Sequence, residues 1–166
     1  MPPPIFDAPV AWNEKYIERR SYYTAIATSL AGIEHRARLR ARSRVSIEYT
    51  AHFDGDDQFK QYHNFLYDYG NYGIALPLWT EYITLTSDAP AGTTTLYTSD
   101  TSSRPFKVGS SVLVQPSNSA HQAVAVSANT ITLDTPLPLA CPQGGRIYPL
   151  ATGYLRKELQ VRLADE

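Results

Sequence analysis

Five arginines stand at every second position of one short stretch, Arg36, Arg38, Arg40, Arg42 and Arg44, and the alternation continues through Ser46, Glu48 and Thr50. Guanidinium groups in a row suit one chemistry, the pairing of carboxylates or phosphates. A period of two belongs to a strand, whose successive side chains point to opposite faces. One face of residues 36–53 then carries the arginines, and the other carries Ala37, Leu39, Ala41, Val45, Ile47, Tyr49 and Phe53. Like charges about 7 Å apart along a strand repel one another, so the row calls for an anionic partner.

The charge balance says which partner. Fifteen basic residues meet sixteen acidic ones for a net charge of -1, and Glu14, Glu18, Glu34, Glu48, Asp54, Asp56, Asp57 and Asp68 lie in the same half as the arginines. A nucleic-acid binder usually carries a basic excess as well as a basic stripe. The stripe is therefore expected to pair with carboxylates of its own chain or of a neighbouring subunit, with Glu34 and Glu48 as the nearest candidates, and no specific nucleic acid is expected. Glu34 and Glu48 also form a conceivable acid–base pair, but flanking arginines would hold both ionised.

Other chemistry finds little support. His35, His52, His63 and His121 have no close ligand spacing, and no zinc, nucleophile-elbow, dinucleotide or P-loop pattern occurs. The acidic run 54–57 lacks the later oxygen ligands of a calcium loop and reads as a helix cap. The lone Cys141 excludes an intrachain disulfide. No catalytic residue, metal or cofactor is expected. Neither a spanning apolar run nor a signal-peptide pattern is present, so membrane insertion is not expected either.

The elements that must position these residues divide at residue 84. Residues 18–29 and the arginine stretch read as a long antiparallel hairpin turning at Gly32. After it Phe59, Tyr62, Phe65, Leu66 and Tyr69 recur at helical spacing until Gly70. This helix is expected to cover the apolar face of the hairpin. Residues 74–79 resume extended structure, with Pro77 at an edge or bend. Beyond residue 84 charge becomes sparse, and strands are expected over 82–86, 94–98, 111–115, 122–126, 130–134 and 146–150. Gly92, Gly109, Ser117–Ser119 and Gly144 mark turns between them. A last strand over 154–163 would return to the first sheet. Residues 1–83 with 151–166 then form one domain, and 84–150 an inserted small β-domain.

The run from Trp12 through Tyr22-Tyr23-Thr24, then Gly32-x-Glu34-x-Arg36, Arg40 and Arg44 leading into Val45-Ser46-Ile47-Glu48-Tyr49, resembles the start of tail-tip proteins of long-tailed, non-contractile bacteriophages. Distal tail proteins and their relatives in gene transfer agents look similar. Pro77-Leu78-Trp79 resembles the motif that closes this segment in the group. Phe106-Lys107-Val108-Gly109, Ile131-Thr132-Leu133 and Ile147-Tyr148-Pro149-Leu150 resemble parts of its small β-domain.

The resemblance implies a mainly β fold with one helix (α+β): a tail-tube-like β-sandwich or split barrel packed by that helix, with an inserted small β-barrel. It implies a non-enzymatic virion protein whose subunits close into a ring continuing the tail tube and joining it to the hub. Its partners would be copies of itself and other tail proteins, namely tube, hub, tape measure and fibres, with the host cell surface as a further contact. It would be assembled in the host bacterial cytoplasm and reside in the virion tail. Two other classes stay open. A carbohydrate or host-surface binding module would use an exposed aromatic of the β-domain, Tyr97 or Tyr148, and a nucleic-acid contact would use the arginine stripe.

Overall fold

The computed structural model describes residues 3–22, 24–28, 32, 34–38, 44–70 and 72–155. It is mainly antiparallel β with a single described helix, and it divides into two compact units, Ala8–Asp54 and a second made of Met1–Asp7 with Gly55–Glu166.

The Ala8–Asp54 unit is a hairpin laddered in two stages. Near its base β1 (Ile17–Ser21) pairs antiparallel with β4 (Arg44–Glu48), Ile17 opposite Glu48 and Ser21 opposite Arg44. Toward its tip β2 (Thr24–Thr28) pairs with β3 (Glu34–Arg38), Thr24 opposite Arg38 and Thr28 opposite Glu34. Gly32, at φ 78°, takes the left-handed conformation the tip requires. The expected hairpin is present; of the expected arginine strand, β3 and β4 are described, and residues 39–43 between them lie outside the described residues. Partner numbers sum to 65 in the base ladder and 62 in the tip ladder, so the returning arm carries three more residues between the ladders than the outgoing one. Val45, expected to face a core, is exposed, and Leu39 lies outside the described residues.

In the larger unit six strands close on themselves. These are β6 (Ile83–Thr84), β7 (Thr95–Tyr97), β8 (Ser111–Val114), β9 (Ser119–Val126), β10 (Thr130–Leu133) and β11 (Arg146–Gly153). Pairing runs from β6 to β11, β8, β9, β10 and β7. The Leu85–Thr98 bridge, with hydrogen bonds from Thr86 N to Tyr97 O and Ser99 N to Thr84 O, then returns to the start. Alternate residues point inward, and the buried cluster of Ile83, Leu85, Leu96, Val112, Val114, Ile131, Leu133 and Ile147 with its neighbours fills the interior. A closed circuit leaves no bare edge. Turns fall at the expected glycines, and Gly145 is also fixed by space: a Cβ there would stand 3.0 Å from the carbonyl oxygens of Gln115 and Pro142.

The second half of β11 leaves the barrel and pairs with β5 (Ile74–Pro77), Leu150 opposite Pro77 and Gly153 opposite Ile74. Here α1 (Asp56–Tyr69) packs its aromatic face on Phe6, with ring centroids 5.6 Å away at Tyr62 and 5.5 Å at Phe65. No residue of α1 is buried, so it is not the core plug its spacing suggests. Nor do carboxylates cap it by hydrogen bond. Gly55 occupies the cap, and Asp56 and Asp57 complement the helix by lying in its positive first turn.

The expected boundaries at 84 and 150 meet this structure in two ways. The buried cluster lies wholly within 83–147, and Thr84 sits opposite Arg146, so the ends of the segment adjoin. Yet residue 150 falls inside β11, and the compact units divide at Ala8 and Asp54 instead. The strand expected over 154–163 lies almost entirely outside the described residues.

Two outcomes are expected. A fragment spanning residues 80–153 should fold alone with one cooperative thermal transition, because its core is internal; a molten fragment by near-ultraviolet dichroism would refute this. In the full chain Ile131→Ala should cost about 2–5 kcal/mol by denaturant unfolding, since a wholly buried side chain leaves a cavity between β7 and β9.

Candidate functional site

The two-stage hairpin holds most of the residues singled out by their chemistry. Arg36 and Arg38 occupy alternate positions of β3, opposite Ile26 and Thr24, while Arg44 opens β4 opposite Ser21, whose hydroxyl donates to the Arg44 carbonyl at 3.5 Å. Arg40 and Arg42 lie outside the described residues. Glu34 ends the tip ladder opposite Thr28. Glu48 ends the base ladder and pairs with Arg19, at 4.0 Å with both side chains largely exposed. Arg20 in turn pairs with Glu18 at 2.9 Å. Alternation in the arginine stretch could not reveal these neighbours, because they come from the other arm.

Such surface pairs contribute about 0–1 kcal/mol each. They do not hold the ribbon shut. What marks this hairpin is its exposure: in the described residues of β2 and at Ser21, Tyr22, Arg44 and Val45 side chains are open to solvent, Tyr22, Ile26 and Val45 among them. Nearer the base Trp12 lies 5.8 Å from Tyr16 and Tyr16 lies 6.1 Å from Tyr49, an aromatic row that stiffens the root of the arm.

The two aromatics proposed as ligand contacts separate. Tyr97 on β7 is 58% exposed. Tyr148 is buried, packed edge-on against Trp79 with ring centroids 4.9 Å apart and against Tyr82 at 5.8 Å, and so presents no surface to a sugar. Arg146 lies over the Tyr82 ring at 4.8 Å and raises the cost of exposing that face too.

One polar network escaped the sequence reading. His121 lies opposite Val112 and Ser119 opposite Val114, which turns both toward the barrel interior. The ring bonds Ser119 Oγ through Nε2 at 2.7 Å and Thr135 Oγ1 through Nδ1 at 2.8 Å. Ser119 Oγ continues to Ser117 Oγ at 2.7 Å, and Thr135 donates to Asp134 at 3.2 Å. Serine, histidine and a carboxylate in series resemble a nucleophilic relay. Here, however, both hydroxyls are spent on joining the β8–β9 turn to the end of β10. The alternation 117, 119, 121 was the available signal. Elsewhere an open hollow is lined by Asp88, Ala89, Pro90, Ala140, Cys141 and Pro142, where Asp88 already accepts from Gln143 N at 2.7 Å. Among the described residues no cluster of three or more His, Cys, Asp or Glu could hold a metal, and no helix is long and apolar enough to cross a membrane.

No protein-family model matches the chain, and no curated protein matches it in sequence.

Burial pushes the His121 imidazole below its ordinary value of 6.5, against the smaller opposing pull of Asp134. The unfolded chain therefore takes up a proton near pH 6.5 that the folded chain refuses, and stability contributed by the neutral ring is lost as pH falls below 6.5. Melting temperature should drop between about pH 7 and 5. In His121→Gln, which keeps hydrogen-bonding capacity without the titration, that slope should flatten; an equal slope in both proteins would refute the assignment.

Proposed function

We propose that this chain is a structural protein of a bacteriophage tail tip, whose copies close into a ring that continues the tail tube and connects it to the hub or fibres. One observation carries the reading: a hairpin arm, exposed along most of its described length, forms a compact unit of its own in a chain whose barrel is self-sufficient. An isolated two-stranded ribbon is marginal in water, and three or more strands or a packed face are needed to stabilise it. An arm of this kind gains its missing contacts from another subunit. In a closed ring each subunit offers one patch to the next and receives a different one. The motifs that resemble those of tail-tip proteins support the same reading.

In this reading the arm and the α1 layer belong to a tail-tube-like β-sandwich or split barrel completed between subunits, and the small barrel serves as outer decoration. The other partners would be tube, tape measure and fibre proteins, with the host surface reached through the barrel. The chain would assemble in the bacterial cytoplasm and function in the virion, without catalysis. Exposed Tyr97 keeps one surface for a carbohydrate or host-surface ligand; buried Tyr148 does not add to it.

Mass photometry and native mass spectrometry test the ring directly. The purified chain should populate one closed species, a trimer or hexamer, as concentration rises, and negative-stain images should show an annulus. A monomer at every concentration, or open polymers of variable length, would overturn the proposal.

A further inference from the structure

Resting on that ring reading, the charge distribution identifies the surfaces that meet. Residues 8–54 hold eight basic and five acidic residues, and the rest of the chain holds seven basic and eleven acidic, so the arm-bearing unit is near +3 and the barrel-bearing unit near -4. Opposite signs on two units of one near-neutral chain suit a contact between unlike patches of two copies.

The acidic groups of the larger unit are mostly committed. Asp7 accepts from Tyr62, Asp56 holds Lys60, Glu81 holds Arg104, Asp88 accepts from Gln143, Asp100 from Ser102 and Asp134 from Gln122. Asp57 and Asp68 have no hydrogen-bond or ion-pair partner among the described residues. They sit on α1 with Gln61 and Asn64 between them, all four exposed. At 3.6 residues per turn these positions fall within about 60° of one another and span about 16 Å along the helix. They form a polar stripe with an acid at each end, on a helix whose aromatic side is turned to Phe6. The five-residue strand β3 runs about 13 Å from end to end, a comparable length, with Arg36 and Arg38 about 7 Å apart.

We infer that the arginine-bearing arm of one copy docks on the Asp57–Gln61–Asn64–Asp68 stripe of α1 in the next copy. The contact brings the basic arm against an acidic stripe and covers Tyr22, Ile26 and Val45, which are exposed in the single chain. Being electrostatic and peripheral, it weakens with added salt.

Mixing full-length charge-reversed chains tests this contact. Arg36→Glu with Arg44→Glu, and separately Asp57→Lys with Asp68→Lys, should each raise the concentration for half-assembly at least tenfold while circular dichroism stays native. A chain carrying all four changes should recover assembly in a ring of either order, and in a hexamer an equimolar mixture of the two should recover it as well, because the chains can alternate and the reversed arm of one meets the reversed helix of the other. No recovery by the four-change chain, or in a hexamer recovery by that chain and not by the mixture, would overturn the inference. Variants that assemble like the wild type would overturn it while leaving the ring standing, whereas a wild-type chain that never assembles would overturn both. Assembly that requires added DNA would assign the arm to nucleic acid instead. Should either reversal prevent folding, Arg36→Gln with Arg44→Gln and Asp57→Asn with Asp68→Asn replace them, each expected to weaken assembly about threefold or more; unchanged assembly of both would refute the contact.

Discussion

Strand β11 is the constraint on which the larger unit depends. Its first residues pair on one side with β8 and on the other with β6, and without them the barrel circuit opens between its first and third members. Its last residues carry β5, which in turn bridges to Ile5 and brings Phe6 beneath α1. One continuous backbone thus meets two sets of hydrogen-bonding demands, those of a closed barrel and those of an open layer. Side-chain packing follows the same division. Ile147 enters the barrel core, while neighbouring Tyr148 points to the other face, where Trp79 covers it.

This double role explains what the sequence revealed and what it concealed. The six barrel strands were legible because short β-branched runs end at residues suited to turns, and Gly92, Gly109, Asn118 and Gly144 indeed take positive φ. Tyr148 was misread for a physical reason. Alternation identifies which residues face opposite ways, but not whether a second layer covers the outer face, and in β11 three successive residues are buried because one does. His121 was hidden in part for a related reason: Ser119 shares its face of β9, but Thr135 reaches it from beyond the end of β10.

The hairpin was legible in its pairing, while the offset between its two ladders was not. A period of two extends through both β3 and β4, yet the ladders differ by three in register, an offset that depends on the lengths of both arms between them. No pattern in one arm contains that information. The partners of Glu48 and the exposure of Val45 were hidden for the same reason, since both depend on what lies across from or above the strand. The helix was placed correctly by its aromatic spacing, but periodicity gives a face and not its occupant, which here is Phe6.

The contrast between the units is finally one of where the burial is found. The barrel fills its interior with branched side chains, and at about 25 cal/mol per Å² of apolar surface such burial can offset the entropy of ordering the strands. Among its described residues the arm has no comparable source. Its ion pairs are exposed, its aromatic row is confined to the root, and Tyr22 and Ile26 face solvent farther out. Backbone hydrogen bonds across two strands exchange for those made with water at a net gain of only about 1 kcal/mol each. A ribbon so constituted leaves most of its stabilisation to be acquired on contact, which is the energetic condition that the proposed ring contact would meet.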